Sequence, residues 1–150
     1  MMEVAHCTVS HGSILRKKIK IMIHVNRVHH IAIICSDYER TLEFYKRVLG
    51  FTVLAENYRE ESKGYKTDLA LGDQYVIELF SFPSPPARPT NPEAAGLRHL
   101  AFEVDDILAE VEELERMGVE HEAIRIDPST NRRFMFFHDP DGLPLELYEK

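Results

Sequence analysis

Four side chains, His30, Glu78, His99 and Glu146, have the types and the spacing to hold a divalent cation. Glu78 stands 48 residues beyond His30 and Glu146 stands 47 beyond His99, so the set reads as one histidine–glutamate pair used twice. Two carboxylates neutralise a divalent ion and lower the cost of placing it in a partly dry cavity. Two imidazoles and two carboxylates without a thiolate suit Ni²⁺, Co²⁺, Mn²⁺, Fe²⁺ or Zn²⁺, one ion per site, and leave an octahedral ion room for a chelating substrate. Each residue alone is ordinary, a strand histidine or a solvated glutamate. The repeated spacing is what joins them.

The elements that must position this set repeat as well. His30 to Asp37 is matched by His99 to Asp106, each running from a histidine on a strand to an acidic helix start, and the two helices stop at Gly50 and Gly118. Ser36 and Glu39 have capping-box spacing, and Tyr38, Leu42, Tyr45 and Leu49 share one helical face. The second helix starts at Asp105 or Asp106, with Ile107, Val111, Leu114 and Met117 on one side. Three strand-like runs follow each helix: 51–56, 66–71 and 75–80, then 119–126, 132–137 and 143–149. Each half therefore reads as βαβββ, and the fold class is α+β. Gly72-Asp73 and Asp139 to Gly142 supply turns. Module 1 covers about 27–80, a proline-rich connector 81–96 and module 2 about 97–149, within a single domain over 22–150.

Side chains alternate along a strand. Ile31, Ile33, Ile77, Leu79, Leu100, Phe102, Leu145 and Leu147 thus form an aliphatic layer suited to packing under helices. His30, Glu78, His99 and Glu146 fall on the opposite face. His24, His29, His121 and His138 lack such duplicated partners and read as structural or surface residues.

The composition is globular, with 44% hydrophobic and 29% charged residues among 150. A net charge of −7 speaks against a nucleic-acid groove, which needs a lysine and arginine surplus. Cys7 and Cys35 make no disulfide framework, and no apolar run approaches a membrane span, so a soluble protein of the reducing cytoplasm is expected. Residues 1–21 carry Arg16, Lys17, Lys18 and Lys20 against Glu3 and read as a disordered basic tail, with Met22 as the expected natural start. His6, Cys7 and His11 in that tail are a weak metal motif.

Taken as a set, several stretches carry a family resemblance: His30 in His29 to Ile33, Phe44-Tyr45 through Leu49-Gly50-Phe51, Glu78 in Val76 to Leu79, His99 in Arg98 to Phe102, and Asp139 to Gly142 with Glu146 between Leu145 and Leu147. Over residues 27–149 the chain resembles the vicinal oxygen chelate superfamily, and within it the glyoxalase I-like branch. That resemblance implies paired βαβββ modules curling around a metal held by His30, Glu78, His99 and Glu146. Glu78 favours the glyoxalase branch over the methylmalonyl-CoA epimerases, which resemble the quartet with glutamine in that place.

The implied reaction isomerises the hemithioacetal of an α-ketoaldehyde to a 2-hydroxyacyl thioester. A Lewis-acid metal would stabilise the enediolate while a carboxylate moves the proton. Glu146 is the expected base, with Glu78 close behind. Where glyoxalase I holds glutathione with an arginine and an asparagine, this chain has Ile34 and Phe82, so Ile34, with Phe80 and Ala101, would form an apolar wall. The expected substrate is then a small molecule: another thiol adduct, a related α-hydroxycarbonyl compound or an unrelated metabolite. Arg88 and Arg133, with Arg125 and Arg132 as further choices, suit an anionic group on it. Other readings are epimerisation, dioxygenation or thiol transfer by the same fold, or small-molecule binding without catalysis. The resemblance also implies a homodimer, with the ligands of one site drawn from one chain or from two.

Overall fold

The computed structural model describes residues 23–150, so the basic tail, its His6, Cys7 and His11, and Met22 lie outside the described residues. Two equivalent modules follow one another. The first is β1 (Ile31–Cys35), α1 (Tyr38–Arg47), β2 (Thr52–Arg59), β3 (Gly64–Leu71) and β4 (Gln74–Ser81). The second is β5 (Leu100–Val104), α2 (Ile107–Arg116), β6 (Arg125–Ile126), β7 (Arg133–His138) and β8 (Pro144–Glu149). Each builds its own four-stranded sheet, ordered β1-β4-β3-β2 and β5-β8-β7-β6. In both, the first strand lies parallel to the last and the others are antiparallel. This is the expected α+β pair of βαβββ units.

Two details differ from the pattern read in the sequence. The N-cap of α1 is Asp37, whose carboxylate accepts from the Arg40 N–H, and not Ser36. A carboxylate at that place also meets the positive end of the helix. The long run expected over 119–126 contracts to Arg125–Ile126, because the chain before it meets β7 only at a bridge from His121 to Phe137 and a Glu122 N–H bond to the Phe136 carbonyl. Gly118 adopts φ +71°, which lets the Val119 N–H reach back to the Leu114 carbonyl at 2.9 Å and close α2.

One hydrophobic core serves both modules. Ile33, Ile77 and Leu79 from the first sheet and Met135, Leu145 and Leu147 from the second belong to a single buried cluster with Tyr45 of α1 and Ile107 and Leu114 of α2. The join is also polar. The Asp139–Gly142 turn of module 2 receives α1 of module 1: Tyr45 donates its hydroxyl to Asp139 Oδ2 at 3.2 Å, and Thr41 donates to Asp141 Oδ2 at 3.1 Å. Asp139 also accepts the N–H groups of Asp141 and Leu143. Burial raises the Asp139 carboxyl above its ordinary value, and these donors oppose the rise.

Asp139→Ala leaves two backbone N–H groups and a buried tyrosine hydroxyl without their acceptor, and should cost about 2–4 kcal/mol in urea unfolding, against about 1 kcal/mol for Tyr45→Phe. Equal small losses for both would show that the turn does not join the modules.

Candidate functional site

β1 pairs with β4 so that Ala32 lies beside Glu78, and β5 pairs with β8 so that Ala101 lies beside Glu146. A methyl group next to each glutamate leaves the carboxylate room to reach the histidine that precedes the strand. His30 Nε2 stands 3.2 Å from Glu78 Oε2, and His99 Nε2 stands 3.1 Å from Glu146 Oε2. His30 turns its other nitrogen to His29, Nδ1 to Nδ1 at 2.8 Å. In the tautomer in which His30 Nδ1 donates to His29 Nδ1, His30 Nε2 keeps its lone pair.

The donor chemistry fits a divalent ion. Each pair sets an imidazole nitrogen beside a carboxylate oxygen, 3.2 and 3.1 Å apart, and both are donor types that such an ion would take. Each pair is nevertheless only half of a quartet. Among the described residues, no three histidine, cysteine, aspartate or glutamate side chains converge on one point within the chain. The four predicted ligands thus form two separate pairs, on the sheet faces opposite the aliphatic layer.

The two half-sites have different surroundings. Lys66 Nζ lies 2.6 Å from Glu78 Oε1 and 2.7 Å from Asp68 Oδ1, and the Tyr75 hydroxyl is 3.0 Å from each of the same two oxygens. Burial works against ionising Glu78 and Asp68, but the bonds from Lys66 and Tyr75 outweigh it and hold both carboxyls below their ordinary values. Asp68 first, and then Glu78, raise the Lys66 ammonium above its own. Glu146 has only His99 as a partner among the described residues, in a cavity of about 650 Å³ that Phe134, Phe136, Arg98 and Arg125 also line. The Arg125 guanidinium lies over the Phe134 and Phe136 rings, 4.9 and 5.3 Å from their centres.

Lys66, Asp68 and Tyr75 were not among the residues singled out in the sequence. Lys66 and Asp68 could have been found, since they share a strand face. Tyr75 could not, because the β3–β4 register shifts so that Ala70 pairs with Tyr75 while Leu69 pairs with Ile77. The extra residue, Val76, packs on the core and brings Tyr75 round to the Glu78 face.

The substrate candidates divide. Ile34 and Phe80 are register partners on the Glu78 face, with Ile34 56% exposed and Phe80 stacked on Phe82 at 6.1 Å. Arg88 shares a groove of about 580 Å³ with Ala32 and Ile34, but donates to the Leu97 and Arg98 carbonyls, which ties the connector down ahead of His99. Arg133 is corrected. It grips Glu149 with two nitrogens, and Glu149 in turn accepts the Ile107 N–H at the start of α2. Arg133 shares strand alternation with the buried Met135 and Phe137, so it braces the helix side of the sheet and not the Glu146 face. The Cys35 thiol is buried, donates to the Phe80 carbonyl and is pushed up by burial to about 12, which makes it unreactive.

Comparison with known proteins places the fold. The Glyoxalase/Bleomycin resistance protein/Dioxygenase superfamily profile matches residues 27–147. The chain is 61% identical over 129 residues to the uncharacterized protein YaeR of Escherichia coli (strain K12), covering 86% of this chain and 100% of that one. It is 31% identical over 129 residues to a probable lactoylglutathione lyase of Vibrio cholerae, covering 83% and 91%. The crystal structure of a glyoxalase family protein from Enterococcus faecalis superposes with a TM-score of 0.77 at 50% identity, covering 82% and 97%. No described helix is long and apolar enough to cross a membrane.

Because Glu78 and Asp68 are held below their ordinary values, the stability they contribute is present at neutral pH and is lost as pH falls through their folded-state values. The unfolding free-energy difference between wild type and Lys66→Met should therefore shrink between about pH 6 and about pH 3. A difference independent of pH in urea titrations would show that Lys66 acts through its alkyl chain alone.

Proposed function

The chain belongs to the Glyoxalase/Bleomycin resistance protein/Dioxygenase superfamily, and from that premise we propose a metal-dependent lyase or isomerase of glyoxalase I type whose site is completed by a second copy of the chain. The observation that supports this is the pair of equivalent His–Glu couples, at 3.2 and 3.1 Å, on sheet faces that leave Ala32 and Ala101 exposed. In a twofold dimer, the His30–Glu78 pair of one copy meets the His99–Glu146 pair of the other, and symmetry makes this happen twice.

A divalent ion bound there supplies Lewis-acid charge that favours loss of a proton from the carbon beside the substrate oxygens. His30 and His99, through Nε2, would hold the ion together with the two glutamates. A carboxylate oxygen of Glu146 takes the proton from one carbon and returns it to the next, with Glu78 as the second candidate. The apolar wall of Ile34, Phe80 and Phe82 offers a surface against which a bound substrate would displace water.

The same wall bears on the substrate. Ile34 and Phe82 offer no hydrogen bonds to the peptide arms of glutathione, which favours a less polar thiol adduct or a related α-hydroxycarbonyl compound. It also supports, as the second reading, a different proton-transfer reaction of the superfamily such as epimerisation.

Metal-free protein reconstituted separately with Ni²⁺, Co²⁺, Mn²⁺, Fe²⁺ and Zn²⁺ should turn over the methylglyoxal–glutathione hemithioacetal or a close analogue. Glu146→Gln should lower kcat by roughly 10²- to 10⁴-fold. Ion binding without turnover of any such adduct would select the second reading, and failure to bind any ion would select a non-catalytic binding protein. Light scattering should give twice the chain mass of 17.4 kDa, and a monomer would contradict the shared site.

A further inference from the structure

The two glutamates occupy equivalent places in the fold, yet their neighbours are chemically unlike. On β3 the residue beside Glu78 is Asp68, and the residue beside Phe80 is Lys66. On β7 the matching places, beside Glu146 and Tyr148, hold Phe136 and Phe134. One half of the repeat therefore surrounds its glutamate with a cation, an anion and, through the Val76 bulge, a phenol. The other places two aromatic rings at those strand positions, covered by the Arg125 guanidinium, which makes no bond to Glu146.

The polar set has a defined geometry. Lysine has three N–H donors, enough for Asp68 and Glu78 together, while the Tyr75 hydroxyl has one proton to share between the same two oxygens. Glu78 Oε1 is thus held from two directions, by Lys66 at 2.6 Å and Tyr75 at 3.0 Å, and only Oε2 faces His30. Asp68 offsets the charge of Lys66, so Lys66, Asp68 and Glu78 together keep one net negative charge. The ammonium therefore fixes orientation without adding net positive charge where a cation must sit.

We propose that Lys66 and Tyr75 are positioning residues that lock Glu78 as a one-oxygen, non-dissociating ligand and so reserve proton transfer for Glu146. This rests on the metal reading above. Among the described residues Glu146 has a single ion-pair partner, His99, so its carboxylate lacks the lysine and tyrosine bonds that hold Glu78. The duplicated pair has become one anchor and one base.

The test uses Co²⁺-loaded full-length protein, whose visible absorption reports ligand number and geometry without any substrate. Lys66→Met and the isosteric Tyr75→Phe free Glu78 Oε1, so each should change the Co²⁺ bands, and together they should weaken Co²⁺ binding about tenfold or more. Lys66→Arg, which restores a donor, should recover most of both. Glu146→Gln should keep Co²⁺ while losing turnover, and Glu78→Gln should lose Co²⁺. In the Lys66 and Tyr75 variants kcat should fall with KM unchanged. Spectra and affinity that superimpose on wild type would overturn the anchoring role. So would tighter Co²⁺ binding in Lys66→Met, which would make the ammonium a competitor for the ion's place. Wild-type protein that takes up no Co²⁺ would instead overturn the metal reading, and the anchor with it.

Discussion

Burial of both aliphatic sheet faces in one core is the constraint on which the rest of the molecule depends. Ile77, Leu79, Met135 and Leu145 are fully enclosed there, and truncating any one to alanine typically costs about 2–5 kcal/mol. Strand alternation then leaves Glu78 and Glu146, with their histidines, no choice but the opposite faces. The Asp139–Gly142 turn, seated on Thr41 and Tyr45 of α1, holds the modules in that arrangement. Each chain therefore displays two His–Glu pairs that do not meet, and the stable core is what makes a second copy necessary to the proposed site.

A duplicated fold supplies symmetry, and chemistry gains from breaking it. Two interchangeable glutamates would compete for the roles of ligand and base. Lys66, Asp68 and Tyr75 stand on one side where Phe134 and Phe136 stand on the other, and this difference gives the two carboxylates unequal freedom. The apolar wall of Ile34, Phe80 and Phe82 adds a second asymmetry, along the groove tied down by Arg88.

Much of this was legible in the sequence, because β1, β5, β8 and the later part of β4 are regular strands in which alternation assigns faces correctly. That rule put His30, Glu78, His99 and Glu146 on one face, while Ile34 and Phe80 came from comparison with the family's glutathione-holding positions. The rule also placed Arg133 with Met135 and Phe137, on the core side, but the attraction of a guanidinium for anionic substrates drew it to the site. Tyr75 was hidden by the Val76 bulge, which reverses the alternation over a single residue. Asp37 displaced Ser36 as the helix cap because two adjacent residues had suitable side chains and only the backbone geometry chooses between them. Whether the pairs meet within one chain depends on how the modules pack, which no local pattern encodes.

The most direct measurement of the central claim is complementation between two inactive proteins. One carries His30→Ala with Glu78→Gln, the other His99→Ala with Glu146→Gln, so neither alone can form a complete quartet. If each site draws one pair from each copy, exchanging subunits between the two should give half heterodimers, each with one intact site, and about a quarter of wild-type metal binding and turnover should return. A mixture that exchanges subunits and stays inert would contradict the account.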